Sequence, residues 1–137
     1  MTPEILARIA TARAARDLSD LARQFFATTA RPSSPTERIR SARELRELVN
    51  QLVDLTVLAE AFGGATWEEI STALSRQDPG TVAREFAADI AEWGGQSEED
   101  LQLGAAGYEA LDEWWARHRE DLDPEVSTPV ADLLNRH

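Results

Sequence analysis

Apolar residues recur at intervals of three and four along most of the chain, and no stretch alternates β-branched residues with polar ones. Spacing of this kind places side chains on one face of a helix, whereas a strand repeats its inward positions every second residue. The pattern therefore predicts an all-α protein of five to six helices with a central helix-turn-helix. A length of 137 residues suits one hydrophobic core, so a single domain over 1–137 is expected.

Capping residues and helix breakers set the predicted helix limits. Thr2 and Pro3 can start the first helix, and Ser34, Pro35 and Glu37 form a capping-box pattern at the start of the second. The glycines near 104–107 disfavour a helix interior and allow a break there. The predicted helices cover 3–28, 35–62, 66–75, 79–93 and, as acidic C-terminal helices, 97–136.

The second helix carries the strongest apolar pattern. Its stripe steps by three and four from Ala42 through Leu45, Val49 and Leu52 towards Ala59, and it ends at Gly63-Gly64. Burial of this stripe inside its own domain is the favoured interpretation. A stripe this wide also suits a dimer seam.

Two short helical patterns follow, joined by a turn. Thr66 and Glu69 form a capping box for the first, and Asp78 with Pro79 begins the second. Val82, Phe86, Ile90 and Trp93 would then line the inner face of the second helix. The exposed positions near its start would be those offered to a major groove: Gly80, Thr81, Ala83, Arg84 and Glu85.

The segment WEEISTALSRQDPGTVAREF resembles the helix-turn-helix of small bacterial, especially actinobacterial, DNA-binding proteins. The usual form of that motif runs Trp-x-x-Ile, then Ala-x-x-Leu-Gly, then a recognition helix of Ser-Pro-x-Thr-Val type. The resemblance covers about residues 37–93 and excludes the first helix and the acidic tail. Ser75-Arg76 replaces the usual Gly-hydrophobic pair, and Gln77 is an apparent insertion, so the angle between the two helices is expected to differ.

The resemblance implies a set of DNA-contacting residues. Thr81 and Arg84 would contact bases or phosphates, and Arg76 would reach a phosphate from the turn, because arginine binds guanine and phosphate in bidentate fashion. Gln77 in the turn and Gly80 in the first helical turn complete the predicted surface. A homodimer is expected, since it would present two such helices to adjacent half-sites.

The distribution of charge argues against easy contact with phosphate. The net charge is −11, with nine Arg against six acidic residues in 1–50 and five against nineteen in 51–137. Affinity for any nucleic acid comes largely from cationic side chains that release counterions. The phosphate contacts would therefore draw on the arginines of residues 1–50, namely Arg8, Arg13, Arg16, Arg23, Arg31, Arg38, Arg40, Arg43 and Arg46.

A second hypothesis is an acidic helical adaptor, or a mimic of a DNA surface, that binds a basic protein. The adjacent pair Trp114-Trp115 motivates it, because two neighbouring positions on a helix face different ways and an exposed tryptophan often anchors an interface. Trp114 and Trp115 are accordingly the predicted partner-binding residues.

The sequence offers little for catalysis, a cofactor or a metal. The acid pairs Glu44 with Glu47 and Glu109 with Asp112 weakly resemble the magnesium ligands of all-α pyrophosphohydrolases, but a solvated face is the favoured interpretation. His118 and His137 have no second ligand at helical spacing. The chain is therefore expected not to be an enzyme and to need no cofactor or metal.

Cysteine is absent, so no disulfide or thiolate site can form, and no apolar run approaches the ~18 residues of a membrane span. A cytoplasmic protein without a membrane segment is expected.

Overall fold

The computed structural model describes residues 1–135 as a succession of helices. They are α1 (Pro3–Ala27), a short 3₁₀ turn (Thr28–Ala30), α2 (Pro35–Phe62), α3 (Trp67–Ala73), α4 (Pro79–Gly94), α5 (Glu98–Ala105), α6 (Glu109–His118) and α7 (Pro129–Leu134). The all-α prediction is confirmed, and the part of the chain described contains no strand.

Side-chain caps start most of these helices where the sequence predicts. The Thr2 hydroxyl accepts from the Ile5 amide at 3.2 Å, and the Ser34 hydroxyl accepts from the Glu37 amide at 3.2 Å. Each cap satisfies an amide that the first helical turn leaves without a partner. The predicted capping box at Ser34 is wrong in its second half, because in residues 1–135 the Glu37 carboxylate returns no bond and stays in solvent.

The two long helices α1 and α2 pack against each other along an antiparallel hairpin. At the end of the hairpin that carries the start of α1, a first core gathers residues from α1 to α4: Ala7, Val57, Leu58, Ala59, Ile70, Val82 and Phe86. The helix-turn-helix segment thus packs on the C-terminal part of α2, which fixes its position relative to the hairpin.

A second core joins the start of α1 to the C-terminal helices. It contains Leu6, Ile9, Leu101, Ala105, Leu111 and Val130, and Trp93 packs against both cores. The Arg13 guanidinium donates to the carbonyl oxygens of Gly104 at 2.6 Å and Ala106 at 2.9 Å, which closes the C-terminal end of α5. One helix, α1, therefore contributes to both cores.

The C-terminal region contains the predicted break near 104–107 but departs from the predicted helix limits after it. Gly107 adopts φ +81°, a left-handed conformation that glycine reaches without steric cost, and it separates α5 from α6. The acidic C-terminal helices, predicted over 97–136, leave residues 119–128 outside a helix, because α6 ends at His118 and α7 begins at Pro129. Helix α7 follows Thr128 and ends at Leu134, while residue 136, the predicted end of the C-terminal helices, lies outside the described residues.

The stripe on α2 is buried less completely than the sequence predicts. Leu45, Leu48 and Leu52 are half-buried, but Val49, predicted to lie in the same buried stripe, is 42% exposed. The apolar positions of α2 divide between two faces, of which only one packs on α1.

Within residues 1–135, no helix has the length and apolar character that crossing a membrane requires.

Candidate nucleic-acid interface

A short helix, a tight turn and a second helix are present at 66–94. Helix α3 begins with the predicted capping box: the Thr66 hydroxyl accepts from the Glu69 amide at 3.1 Å, and the Glu69 carboxylate accepts from the Thr66 amide at 3.3 Å. Asp78 caps α4 by accepting from the Gly80 amide at 3.0 Å, and Pro79 occupies the first helical position. The two helices are therefore fixed locally at both of their N-terminal ends.

The turn between them depends on a left-handed residue. Ser75 adopts φ +58°, and the Arg76 amide donates to the Ser71 carbonyl oxygen at 2.8 Å across the end of α3. A left-handed serine costs roughly 1 kcal/mol relative to glycine. Ser75 stands where the helix-turn-helix motif that this segment resembles usually has glycine. It adopts the left-handed conformation that favours glycine. Gln77, the apparent insertion, is exposed, and the predicted change of interhelical angle stays a prediction.

The inner faces of the motif are closely packed. Val82 is 0% exposed, and Ile70 and Phe86 are buried with it. The rings of Trp67 and Phe86 stack with their centroids 6.2 Å apart and their planes 22° apart. These contacts hold α4 so that its other face points outward.

The outward face of the first turns of α4 carries a chain of hydrogen bonds. Arg84 Nη2 donates to Thr81 Oγ1 at 3.2 Å, and Thr81 Oγ1 donates to Asp78 Oδ2 at 2.6 Å. The bond from Thr81, together with that from the Gly80 amide, holds the pKa of Asp78 below its usual value. Arg84 and Gly80 are exposed and Thr81 is half-buried, so the structure places these three predicted contact residues side by side.

Arg76 is held by an ion pair that spans the turn. Its Nη2 lies 2.7 Å from Glu85 Oε1, and its Nη1 donates to Glu85 Oε2 at 3.3 Å. The Arg76 guanidinium lowers the pKa of the Glu85 carboxyl, and Glu85 raises the pKa of Arg76. Both groups are solvent-exposed, so the pair can exchange readily with other partners.

Acidic groups border this surface on its α2 side. Burial raises the pKa of Asp54, and the negative charges of Asp89 and Glu85 raise it further. The helix-turn-helix itself carries six acidic residues against Arg76 and Arg84. A phosphate approaching α4 from this side would meet a repulsive potential.

Not every arginine of the predicted basic pool is free to bind phosphate. Arg8 pairs with Glu4 and Glu60, each at 3.1 Å, and Arg13 is engaged with the carbonyl oxygens at the end of α5. The exposed arginines of the first half of α2 make no ion pair within residues 1–135: Arg38, Arg40, Arg43 and Arg46. The available positive charge is thus concentrated on that part of α2.

Both tryptophans of the predicted partner surface have partners inside the chain. Trp115 Nε1 donates to the Val126 carbonyl oxygen at 2.6 Å, and Trp114 Nε1 donates to Asp20 Oδ1 at 3.2 Å. The Trp114 ring also stacks on His118, with centroids 5.0 Å apart. Both side chains are half-buried, and their role in binding a partner stays a prediction.

Asp112 has a structural role that the sequence does not reveal. The predicted solvated face is wrong for this residue, because Asp112 is buried and its two oxygens accept from the amides of Val130 and Ala131, each at 2.9 Å. It thereby caps α7 from a different helix. No group of three or more His, Asp or Glu residues within 1–135 has the arrangement of a metal site, and His137 lies outside the described residues.

The turn and the start of α4 carry Gly80, the Thr81 hydroxyl and the guanidinium groups of Arg76 and Arg84, and each guanidinium group is already in contact with a neighbour. These groups can bind phosphate or a base edge only by exchanging their internal contacts for external ones.

Searches of protein-family models, of curated proteins and of solved structures find no match for this chain.

Proposed function

We propose that the protein binds duplex DNA in a sequence-specific manner through the helix-turn-helix at 66–93, and that it acts inside the cell as a transcriptional regulator or a plasmid- or phage-type accessory factor. The observation that carries the proposal is the arrangement of α4. Its buried side packs on α2 and α3, while Gly80, Thr81 and Arg84 face outward from its first turns. The resemblance to small actinobacterial DNA-binding proteins supports the same function.

The internal contacts of this face favour selective binding over general affinity for DNA. Phosphates alone must compete with Glu85 for Arg76 and must overcome the acidic border, so nonspecific binding is weak. A matching site adds bidentate hydrogen bonds from Arg84 to a guanine, about 1–3 kcal/mol for a well-placed pair. Only such a site compensates for the lost internal contacts.

Replacing Arg84 by alanine tests the proposal. The wild-type chain is expected to enrich a motif from a random duplex library at moderate salt, and Arg84→Ala should bind that motif about 10- to 100-fold more weakly. Arg117→Ala is the matched control, because it removes an exposed arginine from α6, which contributes nothing to the helix-turn-helix core. Equal loss in both variants, or none in Arg84→Ala, would contradict the assignment of Arg84.

Neutralising Glu85 is expected to strengthen binding. Glu85→Gln removes a negative charge beside α4 and releases Arg76 for a phosphate, so affinity should rise several-fold at low salt and the salt dependence should steepen by about one counterion. Glu92→Gln on the same helix makes the same change of charge at an exposed side chain that forms no ion pair within 1–135. Fluorescence anisotropy over a salt series separates the two effects: an equal gain in both variants would show that Arg76 takes no part.

The acidic adaptor is the second candidate. The cluster of Asp54, Glu85 and Asp89 favours it, because neighbouring negative charges attract a basic partner. Failure of the wild-type chain to enrich any duplex motif, from low to physiological salt, would transfer support to this candidate.

A further inference from the structure

Helix α2 exposes a second stripe, mostly apolar, that nothing in residues 1–135 covers. Its members are spaced by three and four, as in the seam of a coiled coil: Ile39, Ala42, Arg46, Val49, Val53 and Thr56. Ile39 is 62% exposed, Val49 42% and Val53 40%. The neighbouring stripe, which contains Leu45, Leu48 and Leu52, is the half-buried one, so the exposed α2 stripe is a distinct face of the helix.

Apolar grooves flank the exposed α2 stripe towards its C-terminal end. One, of about 320 Å³, lies between α2 and α3 and is lined by Val53, Ile70 and Leu74. The other, of about 300 Å³, lies between α2 and α1, and Thr56 and Glu60 border both grooves. A helix packed along the exposed α2 stripe would fill both grooves.

We propose that the exposed α2 stripe is a dimer interface, on which the α2 helix of a second copy packs in antiparallel orientation. The spacing is self-complementary in that orientation. Ile39 of one copy lies level with Thr56 of the other, Ala42 with Val53, and Arg46 with Val49, and all three pairs share one twofold axis. Ile39, more exposed than Val49 and Val53, then reaches the rim of the groove between α2 and α3.

Charge along α2 identifies the occupant as a second copy. Arg40 and Arg43 lie on the flank of the stripe that also carries Asp54, and neither arginine forms an ion pair within residues 1–135. Antiparallel pairing places these arginines level with Asp54 of the other copy. There they meet the acidic cluster that Asp54 forms with Glu85 and Asp89. The basic half and the acidic half of the same helix thus neutralise each other across the twofold axis.

The centre of the interface supplies a test that depends on the sign of charge. Val49 faces Arg46 of the second copy, so Val49→Arg should raise the dimer dissociation constant at least about tenfold through like-charge repulsion and loss of apolar contact. Val49→Glu should retain the dimer, because its carboxylate meets Arg46. Leu122→Arg, at a residue that is 101% exposed outside α2, is the control for added positive charge and should remain dimeric.

Sedimentation equilibrium measures the assembly of these variants without DNA, so the result is independent of the proposed function. Circular dichroism checks that each variant keeps the helix content of the wild type. A wild-type chain that stays monomeric at high micromolar concentration would overturn the second copy as occupant. Dissociation by both Val49→Arg and Val49→Glu would overturn the antiparallel arrangement.

Disulfide cross-linking tests the alignment without disturbing charge, since the natural chain has no cysteine. The double variant Ala42→Cys/Val53→Cys should form a covalent dimer on mild oxidation. Each single variant should not, because identical positions lie 11 residues apart along the axis, about 16 Å, which is beyond the reach of a disulfide. Rapid cross-linking of Val53→Cys alone would indicate parallel helices and overturn the proposal.

Discussion

Val82→Asp is expected to unfold the helix-turn-helix and to lower the free energy of unfolding by more than about 4 kcal/mol. Val82 is 0% exposed, and it lies in a core that also contains Ile70, Phe86 and Leu58. An aspartate there would place a carboxylate among apolar side chains, away from water. Urea denaturation followed by circular dichroism measures the loss.

Ala87→Asp is the matched control for this change. Ala87 is exposed on the same helix, so the same substitution places its carboxylate in water and should cost less than about 1 kcal/mol, mostly through the lower helix propensity of aspartate. If Val82→Asp were as stable as this control, the assignment of the inner face of α4 would be wrong. The outward assignment of Thr81 and Arg84 would be wrong with it.

Asp112→Ala is expected to release α7 and to cost about 3 kcal/mol, since it removes two hydrogen bonds to a charged acceptor. The amides of Val130 and Ala131 would lose their hydrogen-bond acceptors. The hydrogen bond from the Val130 amide is buried, so water could not replace Asp112 there. Val130 belongs to the second core, so its displacement also exposes apolar surface around Leu111.

A graded series separates capping from general loss of packing. Asp112→Asn keeps one acceptor oxygen and should retain part of the stability, whereas Asp121→Ala removes an exposed carboxylate nearby in sequence and should have little effect. Thermal unfolding of the three variants gives the order. Equal stability of Asp112→Ala and wild type would show that α7 does not depend on this cap.

Features encoded by neighbouring residues are the ones that the sequence predicts well. The caps Thr2, Thr66 and Asp78 act on amides two or three positions away, and Gly107 breaks the helix through its own backbone conformation. The inward positions of α4 follow from a period of 3.6, because a helix with one buried side has only one way to place Val82 and Phe86.

Features that depend on distant residues are not visible in the same way. Asp112 caps amides 18 and 19 positions later, and no local pattern marks an acid that a helix elsewhere will need. The exposure of Val49 shows a related limit: the periodicity reveals that α2 is apolar on a wide arc, but only the position of α1 decides which part of that arc is buried. Likewise, the pair of Arg76 with Glu85 depends on how the turn folds back on α4.

The double role of α1 has a consequence for biosynthesis. This helix is synthesised before the elements that cover it, so its buried residues have no complete environment until those elements follow. Ala7 needs the segment up to Phe86, while Leu6 and Ile9 need residues from Leu101 to Val130. During translation α1 and α2 can form their hairpin early, but the N-terminal end of α1 stays uncovered until α3 to α7 have emerged. Until α5 to α7 have been synthesised, the nascent chain therefore exposes the apolar residues Leu6 and Ile9 at the start of α1.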